Sequence, residues 1–176
     1  ADADADADSD ADADADSDDD VDNIIDDILG DNTVEYQQIT VEVIDGVVNA
    51  DAIPNNSSFS LNGDASLDMS SSTSVVKTTL TDGNQSVTFN NEGGNIAVIS
   101  STATGTKDIQ LGDGDDIAVI GDTDAVINIK AGEGSDNIVS SGSNVTIDLS
   151  AGGDTKIVIN SGPVNLNGAS SDGSKV

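Results

Sequence analysis

The chain has 176 residues, of which 34 are acidic and five are lysine, with no arginine, so its formal net charge is −29. That excess excludes the binding of nucleic acids and of anionic membrane surfaces, which depends on Lys and Arg. Cysteine and histidine are absent, which excludes disulfides, thiolate zinc sites and imidazole chemistry. No apolar run approaches the roughly 18 residues of a membrane span, so we expect a soluble chain with no membrane span.

Residues 1–19 form an Asp/Ala tract in which every even position from 2 to 18 is Asp. An extended strand would place all these carboxylates on one face, about 7 Å apart. Alone, such a tract is expected to be a disordered, self-repelling linker. The alternative is an extended strand that is ordered by divalent cations, or that is donated to the sheet edge of a neighbouring subunit.

Residues 20–30 carry the spacing of an amphipathic helix that ends at Gly30. The apolar side is formed by Val21, Ile24, Ile25, Ile28 and Leu29. Two to three turns are too short to be stable alone. We therefore interpret the segment as a capping helix that covers a sheet or one end of a repeat stack.

From Thr33 the apolar pattern has a period of two, and Gly, Asn, Asp and Ser separate the short strand-like pieces. Residues 31–90 contain only blurred repeats, with turn-like sequences at 62–64 and 81–84. We interpret them as degenerate β-rungs of a stack that begins anywhere between 34 and 85. An antiparallel sandwich is the alternative for this half.

A 20-residue repeat is the main signal in the second half. Residues 111–130 align with 131–150, residues 95–99 match 116–120, and a shortened copy runs from 151 to about 167. Each copy holds two strand-length pieces and two turns. The sequence therefore predicts an all-β fold, a parallel β-solenoid with two ladders and about 20 residues per rung over 91–167, followed by a tail at 168–176.

The turns of this repeat resemble the nonapeptide Gly-Gly-x-Gly-x-Asp-x-(large apolar)-x of the RTX (repeats-in-toxin) family. Residues 132–138 follow the motif from its second glycine, with Ala131 in place of the first, and 112–116 match it too. The family packs two such turns into about 18 residues, whereas this chain has one per 20. The fold that the resemblance implies is a β-roll.

The resemblance also implies Ca²⁺ as the cofactor, held between rungs by turn carboxylates and backbone carbonyls. The candidate ligand and turn residues are Asp113, Asp115, Asp116, Glu133, Asp136 and Asp154 with Gly112, Gly114, Gly132 and Gly134, and in the opposite turn Asp122 and Asp124. The alternative is a metal-free Asn/Asp turn ladder. Lys107, Lys130 and Lys156 recur near the rung spacing and are expected to be solvated or paired with acids of an adjacent rung.

Family members of this kind are secreted, so we expect an extracellular or cell-surface location. The favoured function is a calcium-binding structural subunit that self-assembles, as a homo-oligomer or polymer, into a filament, matrix or surface layer, with the Asp/Ala tract as a candidate connector. The alternatives are a calcium-rigidified segment of a large secreted adhesin and, less favoured, a carbohydrate-active β-helix module. Without His or Arg, we do not expect an enzyme.

Overall fold

The computed structural model describes residues 24, 25, 28, 37–49, 53–90 and 92–168. It is a parallel β-solenoid of about six turns with about 19 residues per turn. Its twelve strands are β1 (Gln37–Asn49), β2 (Ser57–Asp68), β3 (Val76–Leu80), β4 (Gln85–Thr88), β5 (Ile96–Ile99), β6 (Thr106–Gln110), β7 (Ile117–Ile120), β8 (Val126–Lys130), β9 (Asn137–Ser140), β10 (Asn144–Asp148), β11 (Lys156–Ile159) and β12 (Val164–Asn167).

The strands form two parallel ladders that meet in β2. Ladder A runs β2-β3-β5-β7-β9-β11, and ladder B runs β2-β4-β6-β8-β10-β12. The first half of β2 pairs with β3 and its second half with β4, while β1 lies along β2 on the other side. In ladder A, Lys77 pairs with Ile96, and Ile96 pairs with Ile117, so successive rungs are offset by 19 to 21 residues.

The core is a narrow stack of aliphatic side chains, because alternate residues of each strand point between the ladders. Equivalent positions in successive rungs form two core columns whose members are at most 1% exposed. The column of ladder A contains Leu61, Leu80, Ile99 and Ile120, and that of ladder B contains Leu67, Val87, Ile109, Ile129 and Ile147. Aliphatic residues thus stack on one another from β2 to β7 in ladder A, where Ser140 of β9 follows, and from β2 to β10 in ladder B.

Strands β5 and β7 are also apolar on their outer face. There the helical residues Ile24, Ile25 and Ile28 pack on a second cluster, made by Ile96, Val98, Ile117 and Val119. The part of the predicted helix that the structure describes therefore covers the outside of ladder A at its middle rungs, and not an end of the stack. The remaining residues of 20–30 lie outside the described part of the chain.

The predicted parallel solenoid with two ladders is confirmed. The antiparallel alternative for the first half is wrong, because β1, β2, β3 and β4 all pair in parallel. Described strand pairing begins at Gln37, and β3 pairs with β5, so the pairing continues without a break past position 91, the predicted start of the regular rungs. The Asp/Ala tract 1–19 and residues 169–176 lie outside the described residues. Within the described part, no helix has the length and apolarity needed to cross a membrane.

Candidate functional site

The RTX-like turns lie together at one corner of the solenoid, where each strand of ladder B leads into the next strand of ladder A. This first corner comprises 111–116, 131–136 and 149–155, and it holds ten of the twelve candidate residues. Asp122 and Asp124 lie in the turn 121–125 at the second corner, at the far end of β7. A four-residue strand of roughly 13 Å separates the two corners, so the two sets cannot ligate the same ion.

Glycines allow the turns of the first corner to stack backbone on backbone. Gly132 and Gly134 have φ angles of 84° and 111°, a region that residues with a Cβ rarely adopt. A Cβ on Gly132 would collide with the carbonyl oxygen of Gly112, and one on Gly134 with that of Gly114. The glycine spacing of the motif is thus required by the close approach of neighbouring turns.

Asp116 and Asp136 form a buried column with Asn95, and each side chain binds the backbone of the preceding rung. Oδ1 of Asp136 accepts the N–H of Asp116 at 3.1 Å, and Oδ1 of Asp116 accepts that of Asn95 at 2.8 Å. Oδ1 of Asn95 in turn accepts the N–H of Val76 at 3.2 Å. The motif aspartates therefore connect rungs through backbone amides, and the prediction that they share one column is correct.

The second carboxylate oxygen, Oδ2, of both Asp116 and Asp136 is buried and has no hydrogen-bond partner among the described residues. Burial raises the pKa of each carboxyl from 3.8 to about 7. For Asp136, the nearby charges of Asp116 and Asp115 contribute to the same rise in pKa. Asn95, the neutral member of the column, instead donates from Nδ2 to Asn90 Oδ1 and to the Glu92 carbonyl.

We expect the free energy of unfolding to rise as the pH is lowered from 8 to 5. Because the folded-state pKa of Asp116 and Asp136 is about 7 and the ordinary value is 3.8, the folded state binds extra protons in this interval. This stabilisation of the folded state is complete when the pH is below the ordinary Asp pKa of 3.8, and it is lost as the pH rises through 7. Thermal melts at stepped pH measure it.

The matched control is the double variant Asp116→Asn, Asp136→Asn, which imitates the protonated column in the way that Asn95 already does. At pH 7.5 it should melt at or above the temperature of the parent protein, with a smaller pH dependence. The role assigned to the column would be contradicted if the double variant melts well below the parent protein at pH 7.5. It would also be contradicted if the melting temperature of the parent protein does not change with pH.

The other acids of the first corner are on its outside. Asp113, Asp115, Glu133 and Asp154 are exposed. Oδ1 of Asp115 accepts the N–H of Ser135 at 2.7 Å, and Oδ1 of Asp113 accepts that of Glu133 at 3.5 Å. The carboxylates of Asp113 and Asp115 therefore also link neighbouring turns, although both residues are exposed.

The described residues of the first corner do not bring a cluster of acidic side chains together around one ion. Ca²⁺ takes six to eight oxygen ligands, yet in the described residues no three acidic side chains come within reach of one ion. Turn carbonyls are already engaged, since Asp115 O accepts the N–H of Gly94 and Gly134 O that of Asp154, both at 2.7 Å. The Asn and Asp side chains link neighbouring turns by hydrogen bonds, and calcium binding stays a prediction from the sequence.

At the second corner, Asp124 likewise bonds to the next rung and Asp122 is exposed. Oδ1 of Asp124 accepts the hydroxyl of Ser143 at 2.7 Å, and its carbonyl accepts Nδ2 of Asn144 at 3.0 Å. As at the first corner, the polar side chains link adjacent rungs.

The second corner also contains a buried lysine that the sequence interpretation missed. Lys107 is fully buried, so the expectation of a solvated side chain is wrong. Its Nζ donates to the carbonyls of Gly83 and Thr104 at 2.5 and 2.7 Å, and burial lowers its pKa from 10.5 to about 8 against the opposing charges of Asp82 and Asp64. The sequence signal that could have identified Lys107 as a core position is its alignment, one repeat earlier, with the apolar residue Ile127.

Comparisons of the chain with protein-family models, with curated proteins and with solved structures return no match.

Proposed function

We propose that the chain is an extracellular structural protein, a β-solenoid subunit that self-assembles into a filament, matrix or surface layer. The observation that carries the proposal is the open end of the core. In the register of ladder A, Ile159 follows Ser140 at the position of the core column and is 42% exposed, whereas Ile120 is 1% exposed and Leu80 is fully buried. An exposed apolar core position, on a strand whose outer edge is paired with no strand in the described part of the chain, favours association.

Charge must be neutralised for such an association to proceed. Each copy carries a formal net charge of −29, so two copies repel one another at neutral pH. We propose Ca²⁺ as the counter-ion, acting on exposed carboxylates such as Asp113, Asp115 and Glu133 and not within a closed cage. The extracellular location rests on the RTX-like turns and on the cysteine-free sequence.

Analytical ultracentrifugation and negative-stain microscopy test the proposal in Ca²⁺, in chelator, and in NaCl of matched ionic strength. We expect polymers in Ca²⁺ and monomers in chelator. Monomers under every condition would refute self-assembly. Equal polymerisation in the matched NaCl would refute the specific role of calcium while leaving self-assembly in place.

A calcium-rigidified segment of a large adhesin is the second candidate. The exposed Ile159 favours it as well, because further rungs of a longer polypeptide would cover the same column. Under this alternative, Ca²⁺ raises the melting temperature and the chain stays monomeric. The size measurement above therefore separates the two functions.

A further inference from the structure

We infer that the C-terminal rung, β11 with β12, binds the β1 edge of a second copy, in parallel and with the core columns continuous across the contact. Ile159 then lies beside Val43 of the second copy, and Leu166 beside Val48 of the second copy. The inference rests on the proposed self-assembly and specifies its contact surface.

The C-terminal rung offers free backbone groups at its outer edge. The N–H of Lys156 binds the carbonyl of Asp136, and that of Asn160 binds the carbonyl of Ser140, both at 2.8 Å. A parallel strand bonds to its two neighbours with alternate residues. The backbone N–H and C=O groups of Lys156 and Asn160, and of every second residue between them, therefore point back into ladder A. Those of the intervening residues point outward. The outward groups include those of Ile157 and Ile159, and no described strand pairs with them.

At the other end of the solenoid, β1 offers a strand that is long enough for both halves of this rung. It pairs with β2 from Gln37 opposite Ser57 to Asn49 opposite Asp68, and so crosses both ladders. Among the described strands, β2 is its one partner. The second edge of β1 can therefore receive β11 and β12 together.

The spacing of core positions in the C-terminal rung suits a continuous strand. Ile159 and Leu166 are seven positions apart, and so are Leu80 and Val87 of the rung β3/β4. That rung packs directly on the uninterrupted strand β2. The molecule thus already contains a rung of this spacing stacked on a strand that crosses both ladders.

The spacing of the corresponding positions in β1 differs from that in the C-terminal rung by an amount that the solenoid already accommodates. The register pairs Val43 with Leu61 and Val48 with Leu67, and Val43 and Val48 are five positions apart, two fewer than in the C-terminal rung. Inside the solenoid a larger difference is accepted, since seven positions in the rung β3/β4 stack on the ten between Ile99 and Ile109. The second corner absorbs such differences in its turn.

Charge also favours this pairing. Strands β11 and β12 carry one charged residue, Lys156, and β1 carries two acids, Glu42 and Asp45. Opposite formal charges of the two segments disfavour the pairing of like ends and favour the head-to-tail approach. The contact joins two different surfaces at opposite ends of the strand order, so it is heterologous, and its repetition along the stacking direction builds a filament.

Two adjacent exposed residues of β11 give a matched test in Ca²⁺. Ile159→Lys places a charge on the column that the second copy would cover, and Val158→Lys places one on the outer face of the same strand. The side chains are 42% and 39% exposed, so both variants should keep the circular dichroism spectrum and melting temperature of the parent. We expect Ile159→Lys to abolish polymers and Val158→Lys to retain them. Equal polymerisation of the two would overturn the inference.

Engineered cysteines test the register, because the chain has no cysteine of its own. Val48→Cys with Leu166→Cys should give a ladder of disulfide-linked multimers on a non-reducing gel, since paired core positions lie within disulfide reach. Val48→Cys with Val158→Cys is the control and should give none. Polymers without the first ladder would refute this contact and leave self-assembly standing, whereas absence of polymers in the parent protein refutes both.

Discussion

Gly132→Ala is expected to lower the free energy of unfolding by about 3 kcal/mol, the combined effect of a strained backbone and an overpacked contact. Gly132 has a φ of 84°, and an added Cβ would collide with the carbonyl oxygen of Gly112 in the rung beneath. Since that oxygen belongs to the backbone, a side-chain rotation cannot relieve the collision. Chemical denaturation monitored by circular dichroism measures the loss.

Gly152→Ala is the control for backbone strain alone. Gly152 lies in the same corner with a φ of 107° and has no atom within 4 Å of an added Cβ. Its substitution should cost only the conformational penalty of roughly 1–2 kcal/mol. Equal losses for the two variants would show that close stacking of the turns contributes nothing at Gly132.

Lys107→Leu is expected to destabilise the solenoid by about 2–3 kcal/mol, because two carbonyl groups lose their hydrogen-bond donor. Nζ of Lys107 binds the carbonyls of Gly83, in the preceding rung, and of Thr104, three residues upstream. Leucine fills much of the same volume but donates nothing. The free energy of unfolding from denaturant titration at pH 7 gives the size of the effect.

The chain itself supplies the control for this substitution. Gln85 occupies the same column one rung earlier, and its Nε2 binds the carbonyls of Leu61 and Asp82, which lie at the same sequence separations of 24 and three residues. Lys107→Gln should therefore retain most of the stability that Lys107→Leu loses. If glutamine and leucine destabilise equally, the two carbonyl contacts do not hold the corner.

The period and parallel arrangement of the second half could be predicted because its turns and strands recur with the same residue types. The first half could not be placed in register, for a physical reason. Residues 62–64, Asn-Gly-Asp, have the composition of a turn, yet β2 continues through them with Gly63 at a φ of 70°. A strand that bends at one glycine and crosses both ladders lacks the second turn that defines the repeat.

The positions of the candidate site residues were predicted more accurately than the interactions that these residues make. The spacing of Asp116 and Asp136 placed them in one column, and the structure agrees. The sequence cannot reveal which partner a carboxylate binds, and here it is the backbone N–H of the adjacent rung. Lys107 was misjudged because polar residues usually face solvent. Its side chain instead replaces the apolar member of a core column and donates to two backbone carbonyls at the corner.

The offset of 18 to 22 residues between paired strands has a mechanical consequence. The strands lie across the long axis of the stack, so tension along that axis loads the hydrogen bonds of one rung after another. A rung occupies about 5 Å of the axis while folded, and its released chain extends to roughly 65 Å. A fibre of such units would lengthen in discrete steps under load, dissipating work by losing single rungs while the rest of the stack keeps its form.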